Sequence, residues 1–248
     1  LAFVLGGVSV VFLYFTWGFD SFYMVASQIW GTMESFTLVA IPLFVFMAMI
    51  LERTGVARDL YRMMHLWCGG LRGGLALGTL GICAVFAAMV GISGAAVVAM
   101  GTIALPSMLE RGYDKNMALG VINTGGGWGI LIPPSILMIL YGIFAEVSIG
   151  KLFLAGVVPG ILSALMFILL ITVRVLAKPD LAPRTRVTVS REEKVAALLD
   201  IWPLPLLIVL VIGSIFLGIV TPTEAGALGA LFAMLIGLAR RGLTFGIF

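Results

Sequence analysis

Several things are scarce in these 248 residues, and each scarcity closes a class of function. Charge comes first: Asp, Glu, Lys and Arg make up 11% of the chain, against roughly 25% in soluble domains. With 61% apolar residues, water cannot be the solvent for most of this surface, whereas a bilayer can. Histidine is next. The single His65 sits among Arg58, Arg62 and Arg72, so a nucleophilic serine elsewhere has no imidazole base within reach. The two cysteines, Cys68 and Cys83, have neither metal-ligand spacing nor a disulfide framework. A Walker-type phosphate loop is absent, which removes an ATP-driven pump. No ring of charge or polar stripe marks a channel.

What is present is a series of apolar runs. A spanning helix needs about 20 such residues, and Leu1–Gly18, Phe36–Leu51, Leu152–Val175, Trp202–Val220 and Ala225–Ala239 qualify. Leu1–Gly18 lacks an initiator Met and a basic n-region, so it reads as a span rather than a signal peptide, and the sequence reads as an excerpt from a longer one. Two more runs are interrupted: Leu75–Leu109 at Gly91-Ile92-Ser93-Gly94, and Met117–Ala145 at Ile132-Pro133-Pro134-Ser135. The fold class expected is therefore an all-α polytopic membrane protein.

The net charge of +3 does not mark a nucleic-acid binder, because the basic residues are scattered between apolar runs as positive-inside anchors. Arg53, Arg58, Arg62 and Arg72 fill one connection, and Arg111 and Lys115 a second. Arg174, Lys178, Arg184, Arg186, Arg191 and Lys194 fill a third, and Arg240 and Arg241 a fourth. Placing all four in the cytoplasm makes Leu75–Leu109 begin and end on that side. Its uncharged, glycine-studded arms then read as a re-entrant hairpin, whose turn is tolerated only inside protein or beside a cavity. Residues 177–201 read as a cytoplasmic linker, in which Ser190-Arg191-Glu192-Glu193 resembles a capping box.

Helices are broken in lipid only where something satisfies the freed backbone. Glycine and proline release carbonyls at Gly91–Ala96, at Asn123-Thr124-Gly125-Gly126-Gly127 and at Ile132–Ser135, and Ser93, Asn123, Thr124 and Ser135 add side-chain oxygens. Hard oxygen donors without a buried carboxylate suit a monovalent cation such as Na⁺, and half-helix N-termini suit an anion. Glycine-mediated packing with a proline kink is the competing account. Of the remaining polar groups, Asp20, Glu34, Glu146 and Lys151 fall at segment ends on the outer side. Glu224 reads as the acid of a helix start capped by Thr223. Trp17, Trp30 and Trp202 read as belt residues, and Trp128 as a wall of the site.

Several runs resemble the large (DctM-type) permease subunit of tripartite ATP-independent periplasmic, or TRAP, transporters. They are Ile41-Pro42-Leu43-Phe44, Gly91-Ile92-Ser93-Gly94-Ala95, Ala104-Leu105-Pro106-Ser107-Met108 with Arg111-Gly112-Tyr113-Asp114, Gly129–Ser135, and Thr221-Pro222-Thr223-Glu224-Ala225. The resemblance implies an elevator-type, Na⁺-coupled importer of an organic acid, a C4-dicarboxylate or a sugar acid, in the bacterial inner membrane. It implies a small DctQ-type membrane subunit and a periplasmic substrate-binding protein as partners, with no cofactor beyond the coupling ion and no enzymatic activity. An elevator symporter that binds its anion directly is the alternative. The implied organisation is scaffold helices over 1–72, a hairpin and broken helix over 73–148, a spanning helix over 149–176, and the start of a second inverted repeat over 202–248. The second hairpin and break of the family are expected outside this stretch. The expected Na⁺ set is Ser93, Gly94, Asn123, Gly125, Gly127, Pro133 and Ser135, and the expected substrate set is Ser93, Ala95, Thr124, Trp128 and Pro134. Where the family often has a further hydroxyl after Gly94, this chain has Ala95 and Ala96.

Overall fold

A computed structural model describes residues 2–183 and 190–240. Among these the chain is helical: α1 (Ala2–Trp17), α2 (Ser21–Met33), α3 (Ala40–Arg53), α4 (Val56–Cys68), α5 (Gly74–Val90), α6 (Ser93–Glu110), α7 (Lys115–Gly127), α8 (Ile136–Phe144), α9 (Ile149–Ala177), α10 (Arg191–Asp200), α11 (Pro203–Phe216) and α12 (Pro222–Ala239). Five stretches are long and apolar enough to cross a membrane: Phe3–Met33, Phe36–Arg53, Ser93–Glu110, Ile149–Ala177 and Pro222–Ala239. The pair α10–α11, bent by 40° at its break, passes the same length and hydropathy criterion only when its two helices are taken together, as a broken span or a re-entrant loop.

The helix starts follow local chemistry. Asp114 accepts the Met117 N–H at 2.9 Å to open α7, and Ser148 accepts from Lys151 to open α9. The expected capping box at Ser190 and Glu193 forms in both directions, each bond 3.1 Å long. At α12 the expectation needs correction. Thr221, not Thr223, is the N-cap, because Pro222 takes the first helical position and puts Glu224 where its carboxylate reaches back to the Thr221 N–H at 2.7 Å. Thr223 donates instead to the Phe36 carbonyl, tying α12 to the turn before α3.

Two helices are additions to the sequence reading. Residues 19–35 hold α2, continuing from α1 through a short 3₁₀ turn. The first basic connection is not a loop but the amphipathic α4, which buries Val56, Ala57, Leu60 and Tyr61 while Arg58 and Arg62 face outward. Close packing elsewhere rests on small residues: α12 lays Gly226 against Leu43 and Gly229 against Met47 of α3, so the second helix of the expected second repeat is seated on a scaffold helix.

All four basic connections meet at one end of the molecule. The Arg240 guanidinium pairs with Asp59 of α4 at 2.5 Å and also donates to the Asp200 carbonyl. Trp67 of α4 donates to the Lys194 carbonyl at 3.2 Å, and Arg111 reaches His65 at 3.5 Å. The Asp114 N–H donates to the Leu181 carbonyl at 3.0 Å. An arginine only donates, so Arg111 bonds His65 only in the form whose Nε2 accepts. Burial foremost, and the Arg111 charge second, lower the His65 pKa, while burial raises that of Tyr61 one turn earlier.

Candidate functional site

The helices α5 and α6 form a hairpin whose two feet lie at the basic end. Its turn is tighter than the sequence suggested. Only Gly91 and Ile92 leave helical geometry, and Ser93 and Gly94 already belong to α6. Gly91 closes α5 with φ +65°, a left-handed conformation in which its N–H donates to Ala87 at 2.8 Å. Ile92 is extended and starts α6 without a side-chain cap.

The partner break also differs from expectation. The run Asn123-Thr124-Gly125-Gly126-Gly127 is not interrupted, and α7 continues through Gly127 into a 3₁₀ turn over Trp128–Ile130. Non-helical backbone is confined to Leu131–Ser135, where two prolines cannot donate and the Pro133–Pro134 bond is cis. The glycines serve proximity instead. A Cβ on Gly126 would stand 2.9 Å from the Val97 nitrogen of α6, and one on Gly125 would overlap Cys83 of α5. A Cβ on Gly129 would lie 3.2 Å from both the Ile92 carbon and the Ser93 nitrogen. The α7 stripe thus lets the hairpin arms approach backbone to backbone.

That approach sets the hairpin tip against the break. The Gly91 carbonyl accepts from the Ile136 N–H, the first residue of α8, at 3.3 Å. A Cβ on Gly91 would stand 2.7 Å from the Pro134 carbonyl oxygen. Two helix N-termini, of α6 and α8, therefore meet the C-terminal ends of α5 and of the 3₁₀ turn. Partial positive and negative poles lie side by side without a formal charge. Ser135 is fully buried and occupies the N-cap of α8, yet its hydroxyl caps nothing and has no hydrogen-bond partner among the described residues. A serine at an N-cap usually accepts from the first turn; this one leaves a hard oxygen at the junction.

The expected site residues divide accordingly. Ser93, Pro133, Pro134 and Ser135 come together at the junction, with the half-buried Ala95 and the exposed Gly94 on the first turns of α6. Gly125 is buried in packing. Asn123 and Gly127 are exposed on α7, and Thr124 lines a separate cleft against α9. Trp128 is 4% exposed and faces α9, where its indole donates to the Ser163 hydroxyl at 3.0 Å and packs edge-on to Phe167. Gly156 and Gly160 on the same face of α9 receive the Leu131 carbonyl and Ile132. The sequence reading missed Gly91 as a contact residue and this seam of α9. The spacing Gly156, Gly160, Ser163 was a legible small-residue stripe, but nothing in it named the opposing surface.

A helical hairpin whose tip docks on an interrupted helix, within a polytopic apolar chain, defines the class of the molecule as a multi-pass membrane protein. Residues 1–247 match the family of the tripartite ATP-independent periplasmic transporter, DctM component, and the chain belongs to that family. It is similar to the C4-dicarboxylate TRAP transporter large permease protein DctM of Vibrio cholerae, 40% identical over 95% of this chain and 51% of the relative. Its likeness to the DctM of Pseudomonas aeruginosa is 39% over 88% of this chain and 51% of the relative. The ectoine TRAP transporter large permease protein TeaC of Halomonas elongata is 36% identical over 84% of this chain and 48% of the relative. The chain spans about half the length of the curated relatives it matches. With its apolar helices, this membership makes it a multi-pass protein of the bacterial inner membrane.

Proposed function

We propose that the full-length protein is the large permease of a Na⁺-coupled importer of an organic acid, and that the junction of hairpin and broken helix is half of its transport site. The buried hydroxyl of Ser135 carries this reading. An oxygen that caps nothing, beside glycine and proline carbonyls and without a carboxylate nearby, is a donor set for a hard monovalent cation. The first turn of α6, with half-buried Ser93 in the lead and Gly94 exposed, offers N–H groups without a side-chain cap to an anion without an arginine clamp. Re-entry of the hairpin is supported by its two feet at the basic end and by a tip that stops at the α7–α8 break. An elevator motion would carry this junction across the bilayer as a unit, with backbone packing at Gly125, Gly126 and Gly129 keeping it intact.

The partners of this reading are a small membrane subunit and a periplasmic binding protein that delivers the substrate. A C4-dicarboxylate is the first substrate to try, since two of the similar relatives carry that name; the ectoine permease at nearly the same identity keeps other organic solutes in the panel. The test is uptake of radiolabelled organic acids into proteoliposomes holding the full-length subunit and its small partner, with and without a Na⁺ gradient and an added binding protein. Uptake that needs both supports the proposal. Uptake with Na⁺ and no binding protein replaces it with a directly binding elevator symporter, and gradient-independent flux removes the coupling.

A further inference from the structure

We propose that the cleft between α7 and α9 holds an anionic phospholipid of the inner leaflet, with its phosphate at the basic end and an acyl chain running along α9. The inference rests on the cytoplasmic placement of that end. The cleft encloses about 210 Å³ and is lined by the α7 stripe Asn116, Gly120 and Thr124 and by Phe167, Leu170 and Arg174 of α9. No atom from elsewhere in the fold lies within 4 Å of where a Cβ on Gly120 would stand, so the floor is open. Phe167 and Leu170 also border an adjoining apolar face lined by Leu162, Met166, Leu169 and Val173. That face is exposed to the surroundings of α9, as a chain leaving the cleft requires.

The mouth is cationic. Arg174 and Lys178 lie one turn apart at the end of α9, and the bond from Asp114 to Leu181 draws Lys115, which opens α7, to the same place. All three are exposed, and no carboxylate pairs with them among the described residues. Asp114 is engaged as the cap of α7, and Asp180, close by, makes no ion pair with them. Unpaired cations at the inner mouth of a cleft between membrane helices attract an anionic head group. The continuous apolar wall favours a lipid over a small carboxylate, which has no use for it.

Native mass spectrometry of the full-length permease with its small subunit, equilibrated with vesicles of phosphatidylglycerol and phosphatidylcholine, tests this. Phosphatidylglycerol should be retained preferentially. Arg174→Gln should weaken that retention about fivefold, with a similar loss for Lys178→Gln. Gly120→Leu, whose Cβ meets no neighbour and whose branched end occupies the cleft, should abolish it. Lys151→Gln, at the opposite end of α9, should leave it unchanged, and elution volume reports whether each variant is folded. Equal retention of the two lipids, or indifference of folded Arg174→Gln and Gly120→Leu to phosphatidylglycerol, overturns the proposal. Displacement of the lipid by millimolar succinate also overturns it and assigns the cleft to substrate.

Discussion

Gly91 and Gly94 stand three residues apart in one motif, and their replacement by alanine should have opposite consequences. At Gly91 the backbone is left-handed, with φ +65°, which costs an L-residue roughly 1–2 kcal/mol. The new methyl would also stand 2.7 Å from the Pro134 carbonyl oxygen, a backbone atom held in a rigid Pro-Pro segment that cannot swing aside. Overpacking of this kind adds about 1–3 kcal/mol, so Gly91→Ala should lose roughly 2–5 kcal/mol. In thermal unfolding of the full-length protein that is a fall of a few °C. The tip must retreat from the break, so the bond from Ile136 to the Gly91 carbonyl lengthens and Na⁺ dependence of uptake weakens with it. Gly94, by contrast, is exposed on α6 with no neighbour within 4 Å. Gly94→Ala removes unfolded-chain freedom and should be neutral or stabilising by up to about 1 kcal/mol. Gly91→Ala as stable as the parent, or Gly94→Ala the more damaging of the two, would refute the docking of tip on break.

Ser135→Ala should leave thermal stability level or slightly raised, because it deletes a buried hydroxyl with no partner, while raising the Na⁺ concentration for half-maximal uptake; a large loss of stability with unchanged Na⁺ dependence would make the hydroxyl structural. Ser163→Ala strips the Trp128 indole of its acceptor and should cost about 1–3 kcal/mol in thermal unfolding, and combining it with Trp128→Phe, which removes the donor as well, should cost less than the two single changes summed. For His65 the folded pKa lies below the ordinary value of about 6.5, from burial and then from Arg111. The unfolded chain therefore binds more protons just below pH 6.5, and stability should decline as pH falls through that window. His65→Gln should flatten this part of the profile; an unchanged slope would show that another group titrates there.

The class was legible without any structure, because composition and hydropathy are sums over residues and need no contacts. Charge placement also sorted the connections correctly into one set: Arg111, Lys194 and Arg240 do meet α4 at a single end. Local helix chemistry was legible at Ser190, where cap and acid lie within one turn, and slipped at α12 because Pro222 shifted the start by two residues. The meaning of the glycines came from packing alone. A Gly-Gly-Gly run is equally compatible with a broken helix and with a groove for another helix. Gly125 and Gly126 became a groove because α5 and α6 pass within backbone distance of α7, a fact about residues some 30 to 40 positions away. The same holds for α4, amphipathic but read as a connection until Val56, Leu60 and Tyr61 found their burial, and for Ser135, whose hydroxyl is buried without a partner next to the residue whose N–H reaches the Gly91 carbonyl. Local bonds are written in adjacent residues; which surfaces press together, and which oxygen is left bare between them, is settled only by the packing of the whole chain.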